Sequence, residues 1–275
     1  MTTWLITGCS TGLGRSLASA VLARGDNAVV TARDAGSVRE LADAYPDTAL
    51  AVALDVTDPA QVAAAAAAAT STFGGVDVLV NNAGYGYRAA VEEGDDEDVR
   101  RLFATNLFGA VAMIKAVLPG MRARRSGTIV NISSIGARVC PPGSGYYAAV
   151  KAALEGLTGS LRAEVEPLGI RAMAVEPGLF RTDFAGRSLT QSAEAIADYA
   201  DTAGPRRKEN DKVHGTQPGD PDKAARAMIA AATSDSPPAL LVLGADAVQA
   251  YASVLDRQRA ELDQWRELST STDFD

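Results

Sequence analysis

Two rhythms alternate along the chain. Short runs of consecutive apolar, mostly β-branched residues recur at Trp4–Thr7, Ala28–Ala32, Leu50–Leu54, Val76–Asn81, Gly127–Ile132 and Arg171–Val175, and once more, much later, at Ala239–Leu243. Between them lie Ala-rich stretches whose apolar residues return at helical spacing. Strands apolar on both faces, separated by helices, predict a parallel sheet covered on both sides. No Pro/Gly/Ser-rich linker divides the pattern, so residues 1–275 read as one domain. The alanine run Ala63–Ala69 follows Asp58-Pro59, an N-cap and a first-turn proline. It predicts a helix packed closely on the sheet rather than a low-complexity segment.

Composition narrows the function classes. The chain has 34 acidic and 26 basic residues, a formal charge of −8, and no basic cluster longer than Arg206-Arg207-Lys208. A nucleic-acid or anionic-membrane partner therefore finds no footprint. Polar residues interrupt the hydrophobic runs before any reads as a bilayer span. A first strand starting by Thr3 leaves no room for a signal peptide. Cys9 and Cys140 make neither a disulfide framework nor a metal cluster. These features predict a soluble, cytoplasmic protein with reduced thiols and no metal.

The candidate chemistry sits where strands end. Thr7-Gly8-Cys9-Ser10-Thr11-Gly12-Leu13-Gly14 joins the first strand to a helix, and its glycines let a backbone approach a pyrophosphate at the helix N-terminus. Gly8 to Gly12 also satisfies the G-x-S-x-G elbow of serine hydrolases. The only histidine, His214, lies in a polar, charged stretch, so that elbow lacks an obvious base. About twenty residues past the glycines, where an acid would grip ribose hydroxyls and an arginine a 2′-phosphate, the chain has Arg33 followed by Asp34. Asp55-Val56 and Asn81-Asn82-Ala83-Gly84 close the third and fourth strands. Asn106 falls inside a helical pattern, where its side chain competes for backbone groups. The acidic cluster from Glu92 to Asp98 reads as the start of that helix, complementing its dipole. Ser133 and Ser134 end the fifth strand, and Tyr147 and Lys151 share one helix face one turn apart. A phenol beside an ammonium, with a hydroxyl nearby, is suited to moving one proton at a carbonyl or alcohol.

These motifs, in this order, resemble the short-chain dehydrogenases/reductases with a T-G-x-x-x-G-x-G turn and a Y-x-x-x-K pair. The resemblance runs from Thr3 to about Thr182 and is weaker near Leu243. It implies an α/β fold: a Rossmann-type, doubly wound three-layer sandwich of seven parallel strands with three helices on each face. It implies an NADP(H)-dependent oxidoreductase acting on a ketone, aldehyde or secondary alcohol. In that picture Tyr147 is the general acid/base, Ser134 holds the substrate oxygen, Lys151 grips the nicotinamide ribose and lowers the phenol's pKa, and Asn106 holds a water for proton resupply. The dinucleotide falls to Gly8, Ser10, Thr11, Gly12, Leu13, Gly14, Arg33, Asp55, Val56, Asn82, Ala83, Gly84, Asn106, Tyr147, Lys151, Pro177, Gly178, Phe180 and Thr182. In the family a thirteen-residue spacing to the tyrosine matches Ser134 rather than Ser133. Relatives that use NADP often carry a basic residue before the glycine matching Gly12, where this chain has Thr11. An NAD-preferring dehydrogenase or a non-catalytic NADPH sensor are the alternatives.

Residues 179–219 have no clear β-period and correspond to the family's substrate-binding loop. Tyr85, Tyr87, Val139, Cys140, Tyr146, Phe180 and Phe184 are candidate pocket walls, implying an apolar or aromatic carbonyl substrate. A C-terminal helix over about 245–268 carries Val248, Tyr251, Leu255, Leu262 and Trp265 at roughly helical spacing. This stripe predicts docking on its own domain. A homodimer or homotetramer is what the resemblance implies.

Overall fold

A computed structural model describes residues 1–186, 188–208 and 215–274. In chain order the first half comprises β1 (Thr3–Ile6), α1 (Gly12–Ala23), β2 (Asn27–Ala32), α2 (Arg39–Ala44), β3 (Ala49–Ala53), α3 (Pro59–Phe73), β4 (Val78–Asn81), β5 (Gly86–Arg88), α4 (Asp96–Phe103) and α5 (Gly109–Arg124). The second half comprises β6 (Gly127–Ile132), α6 (Gly136–Val139), α7 (Gly145–Val165), β7 (Ile170–Pro177), β8 (Leu189–Gln191), α8 (Gly204–Lys208), α9 (Pro221–Ala232), β9 (Leu240–Leu243), α10 (Ala245–Gln264) and α11 (Arg266–Thr270). Seven parallel strands form one sheet in the order β3-β2-β1-β4-β6-β7-β9. The order reverses direction at β1, so β1 and β4 flank the crevice where such sheets bind ligands.

Each face of the sheet has its own core. On one side Trp4, Ile6, Val30 and Val175 pack against Leu17 and Val21 of α1, Leu41 of α2, and Ala225 and Met228 of α9. On the other, Leu5, Val29, Leu79 and Ile129 meet Val62 and Ala65 of α3, Met113 and Val117 of α5, and Leu161 of α7. Three helices thus cover each side, as predicted. The alanine run is helical because Asp58 caps the amides of Ala60 and Gln61 and Pro59 starts the first turn. Ala65 and Ala69, fully buried, let α3 approach the strands closely.

Three features differ from expectation. The segment Asp96–Arg124 is one helix with a mean hydropathy of 1.6 over an 18-residue window, long and apolar enough to cross a membrane by length and composition. Apart from Lys115 its charges cluster at the two ends, so an apolar window of that length survives between them. In this fold Met113, Ile114, Val117 and Met121 turn onto the sheet. Within that helix Ala104–Phe108 forms a π-turn, which seats the buried Asn106. Finally, 179–219 does contain a strand: β8 pairs in parallel with β5, Gly86 opposite Leu189 and Arg88 opposite Gln191. Each strand has only three residues, too short to print a period on the sequence.

Of the C-terminal stripe only Tyr251 is docked, its ring beneath the Arg138 guanidinium. Helix α10 buries Ala247 and Val254, whereas Val248, Leu255, Leu262 and Trp265 are each about half exposed. Small side chains allow the closer approach, so the helix packs on its alanine–valine side.

Candidate active site

The site grows from the glycine turn. Gly8 and Gly12 have φ of 73° and 62°, a left-handed backbone that disfavours side chains. A Cβ on Gly14 would lie 2.3 Å from Asn82 Nδ2 and 2.4 Å from the Gly8 carbonyl, so only glycine fits there. Asn82 Nδ2 donates to the carbonyls of Thr7 (2.9 Å) and Gly8 (3.0 Å), while Thr7 Oγ1 accepts from the amides of Asn82 and Ala83 at 2.9 Å each. The Asn82 side chain is thereby committed to holding the turn. Thr11 stands at the N-cap of α1 without a side-chain cap, which leaves the helix's first amides directed at the crevice. Ser10 is half-buried beside it, and Leu13 packs inward on the core. Gly12 faces the Thr182 side chain across the crevice. With Gly8 and Gly14 packed on Asn82 and Ala83, the turn and the first α1 amides facing the gap between Gly12 and Thr182 fit a pyrophosphate.

Around it the other strand ends converge. Arg33 follows β2, is exposed, and makes no hydrogen bond or ion pair among the described residues. Asp34 instead caps a short turn by accepting from the Gly36 amide at 2.9 Å. Asp55 holds Thr57 through both its amide and its hydroxyl (2.9 and 2.7 Å), and Val56 is buried against Gly109. Pro177 O accepts from Ile135 N at 3.1 Å, and Gly178 N donates to Leu243 O at 2.8 Å. Phe180 turns its ring onto Gly219 and Gly244, drawn there by backbone pairing of Leu179 and Arg181 with Gly219. Its side chain joins the core beneath the loop rather than a pocket wall.

The polar group lies at the mouth of this crevice. Ser134 hydrogen-bonds Tyr147 and accepts from the Gly136 amide at 3.0 Å. Ser133 points the other way, to Glu155 and the Lys151 carbonyl. Lys151, only 5 % exposed, donates to Ile132 O at 3.0 Å, with its Nζ 5.7 Å from the Tyr147 ring centroid. Asn106 Nδ2 donates to the carbonyls of Tyr85 and Leu102 (3.2 and 3.1 Å), while its buried Oδ1 has no partner among the described residues. A Cβ on Gly84 would lie 2.4 Å from that Oδ1 and 3.4 Å from Lys151 Nζ, which locates both atoms at one spot.

The charges correct one expectation. Burial pushes the Tyr147 phenol up to about 12, against lowering by Ser134 and the Arg88 guanidinium. Lys151 does not acidify it, because the ammonium is itself desolvated, down to about 8, and is turned to a backbone carbonyl. Among the candidate wall residues, Phe184 stacks at 6.0 Å on Tyr147. Tyr87 is buried and accepts from Asp95 N, and Tyr146 donates to Val91 O at 2.6 Å, so both serve a side core. Ser10 meets no acid or base among the described residues, and His214 lies outside them.

The short chain dehydrogenase family model matches residues 2–193. The chain belongs to that family. Its members are oxidoreductases that bind a nicotinamide cofactor. This family member is 37 % identical over 270 residues to "Oxidoreductase BOA17" of Botryotinia fuckeliana, covering 98 % of each chain. A short-chain dehydrogenase structure from Streptomyces avermitilis matches with a TM-score of 0.92 and 44 % identity, over 99 % of this chain and 98 % of that one. The 3-ketoacyl-(acyl-carrier-protein) reductase of Brucella melitensis, solved with NADH, matches at 0.72 and 30 % identity over 88 % and 96 %.

Sequence reasoning missed four charged residues at this short-chain dehydrogenase site. Arg88 lies close enough to act on Tyr147, and Arg138, Glu155 and Glu176 cluster behind Lys151. Glu176 carried a signal, an acid inside an otherwise apolar strand. Glu155 carried another, one helical turn past Lys151.

Proposed function

We propose that this protein is an NADP(H)-dependent carbonyl reductase or alcohol dehydrogenase, acting on a ketone, aldehyde or secondary alcohol. The observation that carries the reading is the meeting of Tyr147, Ser134, Lys151 and Asn106 at the mouth of the glycine cradle. The nicotinamide, when bound, supplies or accepts the hydride. Gly8, Gly12, Gly14 and the first amides of α1 would hold its pyrophosphate, and Lys151 its ribose.

Tyr147 is the acid. A phenol raised to about 12 stays protonated throughout the neutral range, so its O–H is available to the substrate oxygen as charge develops there. Ser134 donates a second hydrogen bond to that oxygen. Lys151 Nζ and the orphaned Asn106 Oδ1 face one spot beside Gly84, with donor and acceptor suited to a bridging water through which the spent proton returns. Phe184 and the half-buried Tyr85 favour an apolar or aromatic substituent on the substrate.

Preference for NADP rests on Arg33. Its guanidinium, just past the end of β2, has no partner among the described residues, while the Asp34 carboxylate is engaged by the turn it caps. A carbonyl and alcohol panel with NADPH/NADP⁺ and with NADH/NAD⁺ tests this. Turnover with NADPH is expected, and Arg33→Ala should weaken NADPH binding at least tenfold more than NADH binding, the loss of a charge-assisted contact. Equal losses would favour an NAD-preferring dehydrogenase. Tight cofactor binding without turnover across the panel would indicate a sensor.

A further inference from the structure

Behind Lys151 lies a partly buried charge cluster, with Glu176 at its buried end, that the reaction above does not use. Glu155, one turn further along α7, accepts from the Ser133 hydroxyl and pairs with Arg138 Nη2 at 2.6 Å. Arg138 Nε donates to Glu176 at 2.8 Å, and its guanidinium stacks 5.6 Å from the centroid of the Tyr251 ring on α10. Glu176 is wholly buried near the end of β7, and its Oε2 has no hydrogen-bond partner among the described residues. The two carboxyl groups are within hydrogen-bonding reach of each other. Glu155 is therefore faced by Ser133 just past β6, Arg138 from α6, Glu176 from β7 and Lys151 on its own helix, with Tyr251 of α10 behind the guanidinium.

Counting charges exposes a deficit. At the guanidinium two carboxylates meet one cation, and the second cation nearby, Lys151, is turned to the Ile132 carbonyl, so a local excess of negative charge falls on Glu176, which water does not reach, a costly arrangement. One proton held between Glu155 and Glu176 removes that excess and gives the orphaned oxygen a partner. We propose that Glu155 and Glu176 share a proton beneath Arg138, and that Glu155 is thereby a positioning residue for the catalytic group, setting the charge of Lys151 and the seat of Ser134. The proposal rests on reading Tyr147 and Lys151 as the acid–base centre.

Two links connect the cluster to the chemistry. The first is mechanical: Ser133 ties Glu155 to the Lys151 carbonyl (3.4 Å), while Ile135 N binds Pro177 O, so Ser134 is fixed from both sides and next to Glu176. The second is electrostatic. Burial and the neighbouring Glu176 push the Glu155 carboxyl up to about 7, while burial pulls Lys151 down to about 8 against the opposing pull of Glu155. As pH rises, the pair gives up its proton ahead of the lysine. The added negative charge then keeps Lys151 cationic to higher pH.

Glu155→Gln preserves the shape and the bonds to Ser133 and Arg138 but removes the titrating charge. In that variant the alkaline limb of kcat/KM for carbonyl reduction should move about one pH unit to the acid side, roughly a tenfold loss at pH 9 with little change at pH 6. Infrared difference spectra of the protein alone should show a protonated carboxyl band that vanishes between roughly pH 6 and 8, and that is missing from Glu155→Gln and Glu176→Gln. If Glu155→Gln does not fold, Glu176→Gln carries both readouts. A parent pH profile together with a retained carboxyl band in the variants overturns the proposal. Tyr147→Phe at parental activity overturns the acid–base reading instead, so the two failures are distinguishable.

Discussion

Lys151 carries opposed demands. Its ammonium is buried with one backbone carbonyl as partner, and burial lowers it from 10.5 to about 8. Below pH 8 the folded protein therefore holds a desolvated charge, at a cost of about 3 kcal/mol that fades between pH 8 and 10.5 as the lysine deprotonates. Lys151→Met removes that cost but leaves the Ile132 carbonyl unpaired, a loss of about 1 kcal/mol. The variant should be inactive yet about 2 kcal/mol more stable at pH 7 and no more stable above pH 10.5, measured by urea unfolding across pH. A variant less stable than the parent at pH 7 would refute the assignment. The sequence displayed the phenol, the amine and their spacing. It did not show that burial outweighs their mutual attraction, because that depends on which way Lys151 Nζ turns.

The sheet strands were legible as apolar runs because both faces of a parallel sheet are covered. The glycine turn was legible because backbone sterics permit few residues there. Less legible were elements whose logic is long-range. The π-turn at Ala104–Phe108 gives no sequence period, only a misplaced asparagine. The described part of the segment after Gly178 is tied down by Glu93, which accepts from the amides of Ala90 (2.8 Å) and Ile196 (2.9 Å) and pairs with Arg207 at 2.6 Å. In the sequence Glu93 is one acid among six, and Arg207 one of a basic triplet. Their partnership spans 114 residues. Arg207→Met leaves the buried Glu93 carboxylate without its cation, a penalty of about 3 kcal/mol. The loop should then be cleaved by protease within 179–219 many times faster, and the substrate KM should rise while NADPH affinity stays. Unchanged proteolysis would show that the segment is held elsewhere.

Across the molecule, parallel topology sends every strand's C-terminal end to one edge. Residues as distant as Gly8, Asn106, Tyr147 and Thr182 meet there without any long excursion of the chain. That is why the ordered strand-end motifs of the sequence come together at one edge, whereas the charged cluster beneath them, built from Arg138, Glu155 and Glu176, emerged only from packing. The central claim is that Tyr147 delivers the proton. The most direct measurement compares parent and Tyr147→Phe for NADPH-driven ketone reduction, with NADPH binding followed in parallel by fluorescence. Binding should be retained and turnover should fall at least a thousandfold, the loss of a positioned general acid. Reduction at the parental rate by the phenylalanine variant would contradict the account.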